Sequence, residues 1–319
     1  MSDWQPSTTL DVLRARAQLL DQLRQFFRDR GVLEVETPLL AQATVTEPAI
    51  DAFSVPVAPN RADRFLQTSP EYAMKRLLAA GAGDLFQICK AFRRGEAGRR
   101  HNPEFTLLEW YRREMDHRQL IREVAELLCE VLEYPGWQVW SYRTLFTQLL
   151  DLDPFSESVG TSELQRAAQM RLGEIPDRLD RDALLDVLMS HCIEPEVARW
   201  GMVFVTDFPL SQAALARQIH SNGSAVAARF EVWVDGLELA NGYWEETDGD
   251  TLRHRFATDQ VKRSEQGKLP VAMDERLLAA HQHGLPNCAG VALGVDRLLA
   301  LKLGLSDINN AVSFGWDRA

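Results

Sequence analysis

Leu13, Ala17, Leu20, Leu23 and Phe27 recur at spacings of three and four, which predicts a helix with one apolar stripe. Thr8 or Thr9 supplies an N-cap, and Gly31 provides a stop because glycine accepts a left-handed turn. VLEVETPLL then reads as a short strand broken at Pro38. In FLQTSPEYAMKRLLAA (65–80), Ser69-Pro70 predicts a turn feeding a helix with Pro70 in its first turn. DLFQICKAF (84–92) and FTLLEWY (105–111) are both strand-like. A polar loop of about ten residues joins them, which predicts a long-looped antiparallel hairpin.

Further along, 117–133 has the period of an amphipathic helix, and 142–200 is mostly helical and rich in charge. RFEVWVDGLELANG (229–242) alternates around Asp235-Gly236, a two-residue hairpin signal. That register puts Phe230, Val232, Val234, Leu237 and Leu239 on one face, and Glu231, Trp233, Glu238 and Ala240 on the other. Asn241-Gly242 adds a second turn signal. The C-terminal part predicts a helix over 274–283, a short glycine-rich strand, and a helix in VDRLLALKLG ended by Gly304. With no repeat, low-complexity tract or linker, the simplest account is one α+β domain over 1–319. It is built on an antiparallel sheet, with 142–200 as a helical insertion.

Composition narrows the classes. The net charge of −11 argues against a broad nucleic-acid surface but leaves room for a local basic pocket. Cys89, Cys129, Cys192 and Cys288 are far apart and form no Cys-x-x-Cys pair, which argues against zinc or a redox dithiol and suits a reducing compartment. MSDWQPSTT lacks the basic and apolar regions of a signal peptide, and no run approaches the ~20 apolar residues of a membrane span, so a cytoplasmic protein is expected. The seven histidines are dispersed, with His281 and His283 read as a wet helix end.

Three stretches carry candidate chemistry. The first is FRRGEAGRRHNPEFTLLEWYRRE (92–114). Arg93, at the end of the incoming strand, can grip a phosphate with two parallel hydrogen bonds, and Gly95 and Gly98 let the loop bend close to a ligand. On the returning strand Phe105, Leu107, Glu109 and Tyr111 share a face. A carboxylate beside a phenol suits an ammonium group. Taken alone, the stretch fits a solvated basic turn equally well. In the second stretch, Glu238 is an acid inside an apolar strand with Glu245 following, and two such carboxylates suit Mg²⁺. An ordinary half-exposed sheet face is the other reading. In the third, GVALGVDRLL sets Gly290 and Gly294 before a helix that carries Arg297 near its N-terminus. This arrangement admits a flat ring and a phosphate, or simply a strand packed beneath a helix.

In this order the three stretches resemble the three motifs of the class II aminoacyl-tRNA synthetase catalytic domain: VETPLL around Pro38, FRRGEAGRRHNPEFTLLEWY, and GVALGVDRLL. TSPEYAMKRLL, RHNPEFTLLEWY and ELANGYWE look like the lysyl-tRNA synthetase branch. The resemblance, over 9–319, implies an antiparallel sheet of about six or seven strands flanked by helices, a homodimer through the first motif, and adenylate formation from ATP with Mg²⁺. By matching position, Arg93 is expected on the α-phosphate and Arg297 on the γ-phosphate, as the catalytic pair. Gly95, Asn102, Glu238, Leu239 and Gly294 are expected around ATP, with Phe105 stacked on adenine and Glu238 the Mg²⁺ ligand. Ser69 and Glu71 are expected on the substrate's backbone amine, and Glu109, Tyr111 and Glu245 on its distal amine.

Two departures stand out. The usual Arg-x-Glu of the second motif appears as Arg93-Arg94-Gly95, with Glu96 the nearest acid, and Ala292 stands where the synthetases usually have glycine, which favours a different isomer. The chain also begins directly at the helix before the first motif, without the N-terminal anticodon-binding barrel, so tRNA charging is not expected. The truncated synthetase-like ligases this most resembles activate (R)-β-lysine and transfer it to a lysine ε-amine of elongation factor P. Arg94, Arg99, Arg100, Arg112 and Arg113 would then form a docking cluster at the pocket mouth. A freestanding lysyl-tRNA synthetase-like ligase and a catalytically silent regulatory paralogue are the alternatives.

Overall fold

Thr9 caps the first helix, Leu10–Asp29: its hydroxyl accepts from the Val12 N–H at 3.4 Å. The buried stripe is Leu19, Leu23, Phe26 and Phe27, while Ala17 turns to solvent; the stripe therefore runs one position off the expected one. The chain is described here by a computed structural model covering residues 4–59, 62–176 and 179–319.

The main sheet has nine strands rather than six or seven. In spatial order they are Leu33–Glu34, Leu85–Phe92, Glu104–Arg113, Cys288–Gly294, Leu237–Trp244, Ser224–Val234, Met202–Phe208 and Gln138–Ser141, with Gln218–Ser221 added beside Ser224–Val234. The six central strands are antiparallel, as expected, but the strand at each end pairs parallel to its neighbour. These end strands are two and four residues long, too short for period two to register in the sequence. Beyond Pro38 a separate three-stranded sheet runs Leu40–Ala41, Arg64–Leu66, Ser54–Val55.

One face of the main sheet packs beneath the helices Leu10–Asp29, His117–Leu132 and Val295–Leu303. Phe27, Phe86, Trp110, Phe204 and Phe230 form its centre, with Phe27 stacked on Phe86 at 4.5 Å. The 142–200 region is helical as expected and has its own core. Tyr142, Phe146, Leu184 and Leu188 pack there on Val203 and Val205 of the sheet's other face. On that second face, toward the other end, lie the helices Glu71–Ala79, Gly249–Glu265 and Glu275–Gly284. Pro70 takes the N-cap position just before Glu71–Ala79. His281 is buried within its helix, its Nδ1 on the Leu277 carbonyl, and only His283 is exposed.

The Asp235-Gly236 hairpin forms as expected, with Val234 opposite Leu237 and Trp233 opposite Glu238. One step further the register slips, so that Val232 faces Ala240 and Leu239 is the extra residue of a bulge. Ala240 consequently joins the core with Leu239, contrary to the simple alternation. Asn241-Gly242 is no turn either: the strand continues to Trp244. Gly242 is required there because a Cβ would lie 2.4 Å from the Phe230 ring.

Candidate active site

The bulge decides what the second face presents. Without it, Asn241, Tyr243 and Glu245 would point with Leu237 and Leu239 into the core. With it, they stand on the same face as Glu238. That face lines a cavity of about 1070 Å³, whose wall also includes Ser69, Glu71, Arg93, Asn102, Phe105, Glu109, Tyr111, Gly294 and Arg297. Thirteen site residues were expected from the sequence, and all but Gly95 lie in this wall. Gly95 adopts φ +87° in the loop and contributes the turn, while Glu96 reaches the cavity and lies 3.8 Å from Arg93.

The cationic end is built by the long hairpin loop and the last helix. The Arg93 guanidinium sits over the Phe105 ring at 5.1 Å and approaches the Thr68 carbonyl at 3.4 Å. Arg297 donates to the backbone carbonyls of Glu238 at 2.9 Å and Arg100 at 3.2 Å, and to His101 Nε2 at 2.7 Å. Burial and the Arg297 charge hold the His101 ring below its ordinary value, consistent with a neutral ring accepting that bond. The Glu238 carboxylate is 37% exposed and 3.7 Å from Arg297. Among the described residues no three His, Cys, Asp or Glu side chains converge as a ready metal cluster. A partly exposed carboxylate beside Arg297 still fits Mg²⁺, which takes few protein ligands and fills its shell with water and phosphate oxygens.

The anionic end lies past the other end of the same strand. Ser69 Oγ donates to Glu109 Oε2 and Tyr111 Oη to Glu109 Oε1, both at 2.7 Å, and the Glu71 N–H donates to Ser69 Oγ at 3.0 Å. Burial, then the Glu71 charge, pushes the Glu109 carboxyl up to about 7 against those two bonds. Burial likewise pushes Glu245 up to about 8, despite Lys75 at 2.6 Å. Gly290 serves this end. A Cβ there would lie 2.3 Å from Tyr111 and 2.6 Å from Glu245, so the glycine admits two protein side chains and not a ligand ring. Glu238 and Glu245, paired in the sequence reading as possible Mg²⁺ ligands, thus sit at opposite ends of the cavity wall.

Several participants escaped the sequence reading. Lys75 is buried between Glu71 and Glu245; its only sequence trace is the i,i+4 spacing to Glu71. Arg229 and Glu231 form a 2.6 Å ion pair in the cavity wall beside Asn241 and Tyr243. The expected basic cluster divides. Arg100 reaches the cavity, and Arg94 and Arg99 are exposed in the same loop. Arg112 and Arg113 lie at the far end of the strand, where Arg112 pairs with Asp84 and Glu123 and Arg113 with Asp84. They are structural ion pairs, away from the cavity mouth.

The arrangement has a cationic end suited to a polyphosphate and an anionic slot suited to ammonium groups. A family model described as tRNA synthetases class II (D, K and N) matches residues 2–318. An elongation factor P–(R)-β-lysine ligase from Pectobacterium carotovorum subsp. carotovorum (strain PC1) is 48% identical, over 100% of this chain and 99% of the relative. Ligases of the same name from Pasteurella multocida (strain Pm70) and Klebsiella pneumoniae (strain 342) are 46% and 47% identical, each over 99% of this chain and 98% of the relative. By its matched motifs and nearly its whole length, the chain belongs to the class II tRNA synthetases of the D, K and N group.

Proposed function

We propose that the protein is an ATP-dependent ligase that activates (R)-β-lysine as its adenylate and transfers the β-lysyl group to the ε-amine of a lysine on elongation factor P. The observation that supports this most is the single cavity with Arg93, Glu238 and Arg297 at one end and Glu71, Glu109 and Glu245 at the other. A diamino acid laid along it places its ammonium groups among the carboxylates and its own carboxylate toward Arg93. That carboxylate attacks the α-phosphorus of ATP, and pyrophosphate leaves. The neutral ε-amine of the acceptor lysine then attacks the adenylate carbonyl carbon, AMP leaves, and the amine gives its proton to solvent.

Neither step needs a covalent enzyme intermediate; both need alignment and charge neutralisation. Arg93 neutralises the α-phosphate, Phe105 offers a face to adenine, and Arg297 holds the γ-phosphate, with Asn102, Leu239 and Gly294 lining the nucleotide's wall. Glu238 would hold Mg²⁺, which when bound offsets triphosphate charge. Ser69 and Glu71 take the amine nearer the carboxylate; Glu109, Tyr111 and Glu245 take the distal one. The exposed Leu33, Leu39 and Leu40 around Pro38 support a homodimer through this edge. No helix among the described residues is long and apolar enough to cross a membrane, and the four free cysteines support a cytoplasmic site of action.

The test is ATP–pyrophosphate exchange with each lysine isomer, followed by mass spectrometry of elongation factor P. Exchange with (R)-β-lysine and a mass gain of one β-lysyl group are expected. Dependence on α-lysine alone would show a lysyl-tRNA synthetase-like ligase, and no exchange a silent paralogue. A pH effect accompanies the reading. Glu109 and Glu245 hold protons below about 7 and 8, and only their ionised forms attract an ammonium. The KM for the diamino acid should therefore fall as pH rises from about 6 to 8, by at most about tenfold per pH unit for each carboxyl. A KM flat across that range would refute the assignment of these two acids.

A further inference from the structure

The anionic slot already holds a cation. Lys75, on the helix Glu71–Ala79, is 1% exposed, and its Nζ lies 2.6 Å from both Glu71 Oε1 and Glu245 Oε2. Burial pulls its ammonium down, but Glu245 and Glu71 outweigh that and hold it above its ordinary value. A buried lysine is costly, and a merely structural ion pair is often replaceable by apolar residues without loss. This one instead joins two of the three carboxylates that face the substrate.

We propose that Lys75 is an internal counter-ion: it orients Glu71 and Glu245 and sets the charge of the slot to suit a ligand bearing two ammonium groups. The inference rests on the functional reading above and deepens it. Once all three carboxylates are ionised, at the upper end of the pH range given above, one ammonium against them leaves two negative charges for the diamino acid to neutralise. Lys75 takes one oxygen from each neighbour. Among the described residues no hydrogen bond or ion pair is made to Glu71 Oε2, and Glu245 Oε1 is turned toward Gly290. Glu109 needs no such help because Ser69 and Tyr111 hold it. The other titratable groups facing this region are His281 from the helix Glu275–Gly284, Cys288 from the strand beside Tyr111, Tyr72, Tyr243 and Glu47. Another fixed positive charge, Arg217, donates to the Glu245 backbone carbonyl at 3.3 Å and not to its carboxylate. Lys75 is thus a positioning residue: it acts through Glu71 and Glu245 and not on the reacting atoms.

Lys75→Met and Lys75→Ala, assayed by ATP–pyrophosphate exchange, test this. The KM for the diamino acid should rise about 10- to 100-fold, the scale of losing a charged hydrogen-bonding partner. The KM for ATP should hold, and the pH at which the diamino-acid KM levels off should move upward, because the acids lose the charge that favours ionisation. Propylammonium, which replaces the missing atoms of Lys75→Ala, should restore part of the affinity, and propan-1-ol should not. Folded variants with wild-type KM and pH profile, or equal rescue by the alcohol, overturn the inference. If neither variant folds unaided, recovery of ATP-binding protein by propylammonium but not by propan-1-ol supports it, and any other pattern overturns it. Wild-type protein that shows no exchange with any diamino acid defeats the functional reading itself, a separate outcome.

Discussion

Arg93→Ala should lower adenylate formation about a thousandfold while leaving the melting temperature nearly unchanged. Removing one preorganised charge donor from a developing phosphoryl centre costs on the order of 10²–10³ in rate, and guanidinium groups in phosphoryl transfer reach higher values. Arg93 contributes little to folding. Its neighbours are a 3.4 Å contact to the Thr68 carbonyl, a 3.8 Å approach to Glu96 and the Phe105 face. Arg93→Lys preserves charge but loses the paired N–H geometry, so most of the rate should remain lost. ATP–pyrophosphate exchange and thermal melting of the three proteins measure both quantities. A loss below about tenfold in Arg93→Ala would remove Arg93 from the chemistry.

Gly290→Ala should be the most damaging single methyl at the anionic end. Its Cβ would lie 2.3 and 2.4 Å from Tyr111 ring carbons and 2.6 Å from Glu245 Oε1, distances no folded side chain tolerates. Tyr111 is fully packed and holds Glu109 at 2.7 Å, so it cannot retreat without loosening that carboxylate. We expect about 1–3 kcal/mol of destabilisation from overpacking. The KM for the diamino acid should rise about a hundredfold, the scale of a site displaced by an ångström. The KM for ATP should stay within about threefold, since Gly294 and Phe105 at the cationic end lie at the far ends of the two strands that carry Gly290 and Tyr111. Equal losses for both substrates would show that the two ends are not separable.

These effects also mark how far the sequence could be read. Both hairpins were legible because their signals are local: Asp235-Gly236 names its turn, and alternation from Phe105 to Tyr111 names a shared face. The parallel end strands were not legible, because two or four residues carry no period and their pairing depends on a distant partner. The Arg112–Arg113 pair misled for a related reason. Proximity in sequence to Arg100 implied proximity in space, yet a ten-residue strand carries them to its opposite end. Lys75 looked like any surface lysine on an amphipathic helix. Only folding brings Glu245 to it from 170 positions away in the chain. Local chemistry was written in the sequence, whereas the charge balance was a property of assembly.

The extra residue at Leu239 has a consequence for how this strand can change length. Side chains alternate strictly, so orientation along a strand is a matter of odd and even. Adding or deleting one position between Glu238 and Glu245 would invert the parity and turn the polar set into the greasy interior. Two positions would restore it. Viable drift in this segment is therefore quantised in pairs, and any relative with a single-residue gap here must carry a compensating irregularity nearby.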